Sequence, residues 1–167
     1  MADHDAAENE AREMPGSSPW RVLGDAFGGR SRWADVGGPL HYLDFGGPAE
    51  ASVIVAVHGL GGSSANWAAV AAPTLTARYR LVAPDLGGFG LTRAAGRDVS
   101  VPGNWVLLHR FLQAVPSVGR GPVILMGNSM GGMISLLEAS SAPSGVSALI
   151  LVDPRRCRSL LLARIRL

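Results

Sequence analysis

Lysine is absent from this chain and cysteine nearly so. Cys157 is the single cysteine among 167 residues. That excludes an intrachain disulfide framework and a cysteine-ligated metal cluster. No apolar run is long enough for a membrane-spanning helix. No basic stretch leads into an apolar one at the N-terminus, so no secretory signal is visible and a cytoplasmic location is expected. Charged residues are only 17%, while hydrophobic residues reach 47%. Such a chain can bury a core, and its length suits one domain.

Acid is missing from the last 13 residues, which hold Arg155, Arg156, Arg158, Arg164 and Arg166. Residues 1–154 carry 10 Arg against 13 Asp and Glu, a net of −3, and the tail adds +5. The basic character therefore belongs to the tail. Nucleic-acid binding is not expected without a clustered basic face on the fold.

Residues 1–29 read as an acidic arm and lead-in of disordered composition, with Pro15-Gly16-Ser17-Ser18-Pro19 as a break. Alternation then predicts a hairpin, Arg32–Val36 and Leu40–Phe45, turning at Gly37-Gly38-Pro39. In it His41 is expected as a half-exposed strand residue, opposite in facing to Leu40 and Tyr42. Ser52–Val57 is a continuous apolar run, as in a strand buried on both faces of a parallel sheet. His58-Gly59-Leu60-Gly61-Gly62 follows, and a helix is expected from about Asn66 to Leu75. Tyr79–Pro84 is a further strand, ending in Asp85-Leu86-Gly87-Gly88-Phe89-Gly90. Helical spacing runs from Asn104 to about Val115, with Val106, Leu107, Phe111, Leu112 and Val115 on one stripe and His109 on the exposed face. Val146–Val152 is a last strand closing on Asp153-Pro154. Strands alternating with helices predict an α/β fold with a mainly parallel sheet.

The chain is organised around Val123–Ile134. A short apolar run passes through Gly127-Asn128-Ser129-Met130-Gly131 into a segment that can be helical. Strand, tight turn and helix make Gly-x-Ser-x-Gly a nucleophile elbow, with the serine hydroxyl held clear on a strained turn. Side chains at 127 or 131 would collide where strand and helix converge, and glycine removes that clash. In a chain with 22 glycines the motif by itself also fits an ordinary Gly-rich turn.

Taken together, His58–Gly62, Asp85–Gly90, Gly127–Gly132 and Leu151-Val152-Asp153-Pro154 resemble, in order, the motifs of the α/β-hydrolase fold superfamily, serine-nucleophile branch. The likeness covers about residues 30–154, or roughly the first six strands, and leaves 155–167 as an Arg-rich tail unlike the family. It implies Ser129 as nucleophile, with the Leu60 and Met130 backbone N–H groups as an oxyanion hole. His58 and Asp85 would shape turns and take no catalytic part. The elbow is similar to those of esterases and of carbon–carbon hydrolases. A small-molecule ester or acyl substrate is implied, with no cofactor, metal, nucleic acid or membrane span.

The family's triad runs Ser, then Asp or Glu, then His. Here the acids after Ser129 are Glu138 and Asp153, and no histidine follows it. Asp153 is the one acid candidate, in the position some variant families use. The expectation is a family core truncated before its base and inactive alone, or a non-catalytic remnant or binding module of the same fold. The resemblance also implies an apolar outer edge on the last strand, open to self-association.

Overall fold

The computed structural model describes residues 28–115, 118 and 120–153. The expected arm before residue 28 and the Arg-rich tail lie outside the described residues. Six strands form one sheet in the order β1-β2-β4-β3-β5-β6. They are β1 (Arg30–Asp35), β2 (Pro39–Gly46), β3 (Val53–Val57), β4 (Arg80–Pro84), β5 (Val123–Asn128) and β6 (Val146–Val152). The β1–β2 hairpin is antiparallel, β2 joins β4 antiparallel, and β4, β3, β5 and β6 run parallel. The mainly parallel α/β sheet expected from the sequence is present.

Every residue of β3 is buried, as its unbroken apolar run requires. One face of the sheet packs Val55, Val57, Val82 and Leu125 against two helices, α2 (Val101–Ala114) and α3 (Met130–Ser141). The other face gathers Ile54, Ala56, Leu81, Ala83 and Met126 around Trp67. The short helix α1 (Pro73–Thr76) lies between β3 and β4.

The structure corrects three expectations. A single helix over Asn66–Leu75 does not form: a 3-10 turn, Ser64–Trp67, and α1 replace it. Pro73 forces Ala72 into an extended conformation with ψ 150°, which ends the first turn and starts the second. Helix α2 begins at Val101, three residues early, because the Ser100 side chain accepts from Gly103 N–H and Pro102 suits the first turn. Its buried face is Asn104, Leu107, Leu108 and Phe111, whereas Val106 is exposed. Third, His41 is buried at 3% exposure. Strand β2 lies between two neighbours, and the Asp85–Thr92 loop covers the face that would otherwise meet water: Thr92 Oγ1 accepts from His41 N–H at 3.0 Å.

Candidate active site

Strand β5 and helix α3 meet at Ser129 with no intervening loop. The chain must reverse within that one residue, and Ser129 has φ 50° and ψ −112°. A side chain there is strained by about 1–3 kcal/mol. A Cβ at Gly127 would sit 2.5 Å from Gly131 O, and one at Gly131 would fall 2.7 Å from Val57 C. Both glycines are therefore steric requirements of the crossing. Ser129 N–H donates to Val152 O at 3.0 Å, which ties the turn to the end of β6. Ser129 stands at the N-cap of α3, yet its side chain makes no capping bond. As the first helical residue, Met130 has no intrahelical acceptor for its N–H.

The loop after β3 packs directly on this turn. A Cβ at Gly59 would lie 3.3 Å from both Asn128 O and Ser129 Cβ. The next residue, Leu60, is 76% exposed, and Gly61 turns the chain with φ 72°. Gly62 N–H closes the turn on Gly59 O, and Asn66 Oδ1 accepts from Ser63 N–H at 2.7 Å. The topology thus brings Leu60 and Met130 to the carboxyl end of the sheet, beside Ser129. Asp153 follows Val152 at the same end with φ 44°, and it is exposed.

None of the three described histidines is free to act there. His58 Nδ1–H donates to Gly59 O at 2.8 Å, and Nε2 accepts from Leu86 N–H at 3.0 Å. Both ring nitrogens are spent in pinning the β3 loop to the β4 turn. Burial pushes the His58 pKa down, against the smaller raising effects of Gly59 O and the Asp85 charge. The neutral ring that this favours matches its two bonds, one donated and one accepted.

His41 Nδ1 pairs with Asp85 Oδ2 at 2.8 Å, and Nε2 meets Ser31 Oγ at 2.8 Å. Asp85 also accepts from Ser64 N–H and Leu91 N–H. Burial raises its pKa, but the bonds from His41, Leu91 and Ser64 outweigh that and leave it below the ordinary carboxylate value. This is the turn-holding aspartate expected from the sequence.

Sequence reasoning missed a second polar cluster. Glu138, 2% exposed, accepts from Trp105 Nε1 at 2.8 Å and His109 Nδ1 at 2.9 Å. Gln113 Nε2 donates to His109 Nε2 at 3.0 Å. The signal was faint: one acid inside an otherwise apolar helix. The cluster borders a recess of about 480 Å³ between the ends of α2 and α3 and the start of β5. Nine residues along α3 set Glu138 about 13 Å from the elbow, so the recess is not part of it.

The family model for the alpha/beta hydrolase fold matches residues 52–165. This chain belongs to the α/β hydrolase family. It is 33% identical over 123 residues to the human monoacylglycerol lipase ABHD6, a match covering 69% of this chain and 36% of that protein. Lipase 1 of Psychrobacter immobilis is 33% identical over 118 residues, covering 70% of this chain and 36% of the lipase. Among solved structures, a bacterial membrane phospholipase A superposes with a TM-score of 0.69 at 31% identity, covering 81% of this chain and 43% of that one. The chain thus spans about a third of the length of the curated relatives named here. Among the described residues no helix is long and apolar enough to cross a membrane.

Proposed function

We propose that these 167 residues carry the nucleophile half of a serine hydrolase acting on carboxylic ester or acyl substrates. Ser129 is the nucleophile. The backbone N–H groups of Leu60 and Met130 meet the oxyanion, and a donor of this kind contributes about 3–4 kcal/mol to the transition state. The observation that carries the reading is the strained φ of 50° at Ser129, flanked by two glycines that sterics demand. Backbone strain at a residue with no capping role is what a displayed hydroxyl requires. The lipase and phospholipase relatives support an ester as the substrate class.

A serine hydroxyl at its ordinary pKa needs an adjacent base. His41, His58 and His109 each have both ring nitrogens engaged, and no histidine follows Ser129. Among the described residues, therefore, no imidazole is free to serve Ser129 as base. Asp153 stands at the elbow end of the sheet as the acid candidate, with no free imidazole beside it among the described residues.

A second reading, a binding module that keeps the fold without catalysis, draws on the same engaged histidines. Imidazole added in solution separates the two. The first reading expects p-nitrophenyl ester turnover equal to a Ser129→Ala control without imidazole. With imidazole it expects an acyl adduct on Ser129, detected by mass. Turnover that depends on Ser129 without imidazole would overturn the missing base. No adduct under either condition would overturn the nucleophile and leave the binding module.

A further inference from the structure

The three described histidines differ in what their Nε2 atoms meet. His58 Nε2 accepts from Leu86 N–H and His109 Nε2 from the Gln113 side chain, both amides. An amide so placed has no proton to give up in neutral water. His41 Nε2 meets a hydroxyl instead, Ser31 Oγ, at 2.8 Å.

The direction of that bond is set from the far side of the ring. Asp85 Oδ1 accepts from Ser64 N–H at 2.6 Å, and Oδ2 accepts from Leu91 N–H at 2.8 Å. These main-chain donors fix the carboxylate as an acceptor. His41 Nδ1, 2.8 Å from Oδ2, therefore carries a proton. In the neutral ring Nε2 is left with a lone pair, and the Ser31 hydroxyl donates to it.

The strands hold this order. Strands β1 and β2 pair Trp33 with His41 and Ser31 with Leu43, so Ser31 lies diagonal to His41 on the same face. The Trp33 ring meets the His41 ring edge-on at a centroid distance of 5.2 Å. The imidazole is buried and Ser31 half-buried. A serine, a base within about 2.6–3.2 Å and a third group orienting that base make the arrangement that activates a hydroxyl. It is recognised by geometry and roles, not by order along the chain.

We propose that Ser31 is itself a nucleophile, activated by His41 and Asp85, which takes an acyl group from an activated donor such as an aryl ester or thioester. Ser31 Oγ bonds to the acyl carbon as its proton passes to His41 Nε2, and Asp85 faces the imidazolium that forms. The bond from the acyl carbon to the departing oxygen or sulfur then breaks, and the departing group takes the proton from Nε2. The products are acyl-Ser31 and a free alcohol or thiol. Successive N–H groups of a strand point to opposite sides, so Ser31 has no converging donors of the elbow kind. One such donor is worth about 10²–10³ in rate, which confines the site to donors with good leaving groups and leaves the acyl-serine long-lived. Three strands lie between β1 and β5, which puts Ser31 about 19 Å from the elbow strand.

A chain carrying Ser129→Ala isolates this site and makes the test independent of the elbow serine. It is incubated with p-nitrophenyl acetate at neutral pH. The chain has no lysine to compete for acetyl groups. Chymotrypsin releases residues 28–33, Gly-Gly-Arg-Ser-Arg-Trp, in which Ser31 holds the one hydroxyl. This peptide is expected to gain one acetyl group by mass. His41→Gln, which can still donate to Asp85, is expected to slow the gain by about 100-fold. No acetyl on Ser31, or an equal rate in His41→Gln, would overturn the proposal. Should His41→Gln fail to fold by circular dichroism, Ser31→Cys in a Cys157→Ser background reads the base with His41 intact. Beside the imidazole its thiol is expected to react with iodoacetamide at pH 7 about tenfold faster than free cysteine. A rate no greater than that of free cysteine would overturn the proposal.

Discussion

Replacing Gly131 by alanine tests the geometry of the elbow most sharply. In an open helix the change would help, since alanine is favoured over glycine by about 1 kcal/mol. Here the new Cβ would lie 2.7 Å from Val57 C and closer still to the carbonyl oxygens of Val57 and His58. Unbonded carbons prefer about 3.5–4.0 Å, so α3 must lift from the end of β3 by about 1 Å. Val57 and His58 are 0 and 1% exposed, and the obstructing atoms are main chain, so no side chain can swing aside. Overpacking costs about 1–3 kcal/mol, and a main-chain obstacle belongs at the upper end. Subtracting the helix gain leaves a net loss of about 2 kcal/mol. At about 4 °C per kcal/mol for a domain of this size, the melting midpoint falls by about 8 °C. Gly145→Ala is the control, because a Cβ there meets nothing within 4 Å. Thermal unfolding followed by circular dichroism measures both. A Gly131→Ala chain as stable as the Gly145→Ala chain would refute the steric account.

Ser129→Gly is expected to stabilise the fold by about 1 kcal/mol, because glycine accepts φ 50° without strain; an unchanged urea midpoint would count against the strain. Glu138→Ala leaves Trp105 Nε1 and His109 Nδ1 without their acceptor and is expected to cost about 1–3 kcal/mol, with Glu138→Gln losing less; equal stabilities would show that the cluster holds nothing together. Stability should also fall in two steps on acidification. The folded pKa of His58 is lowered from 6.5, so its contribution is complete above 6.5 and is lost as pH falls below that value through the folded one. Asp85 is lowered from 3.8, so its contribution is lost below 3.8. Urea midpoints measured from pH 8 to pH 3 check the sign, and His58→Asn should remove the first step.

The sequence by itself determined the elements whose requirements are local. Gly127 and Gly131 announce the elbow because the clash they avoid lies between a strand and the helix that follows it directly. The run Val53–Val57 announces a central strand because only burial on both faces accommodates it, and the apolar run Val146–Val152 coincides with β6. The family resemblance implies turn-shaping roles for His58 and Asp85, and each hydrogen-bonds loop backbone. Tertiary structure decided what depends on distant neighbours. His41 is buried because Asp85 and Thr92, more than 40 residues away, come to lie over it. The Glu138 cluster exists because α2 and α3 pack side by side, joining residues about 30 apart in sequence. Which of Val106 and Leu108 is buried turned on how α2 rotates about its axis, and packing against β1 and α3 sets that rotation more finely than an apolar stripe can. Period and sterics act along the chain and can be read from it. Burial and hydrogen-bond partners are fixed between segments, and only the folded arrangement selects them.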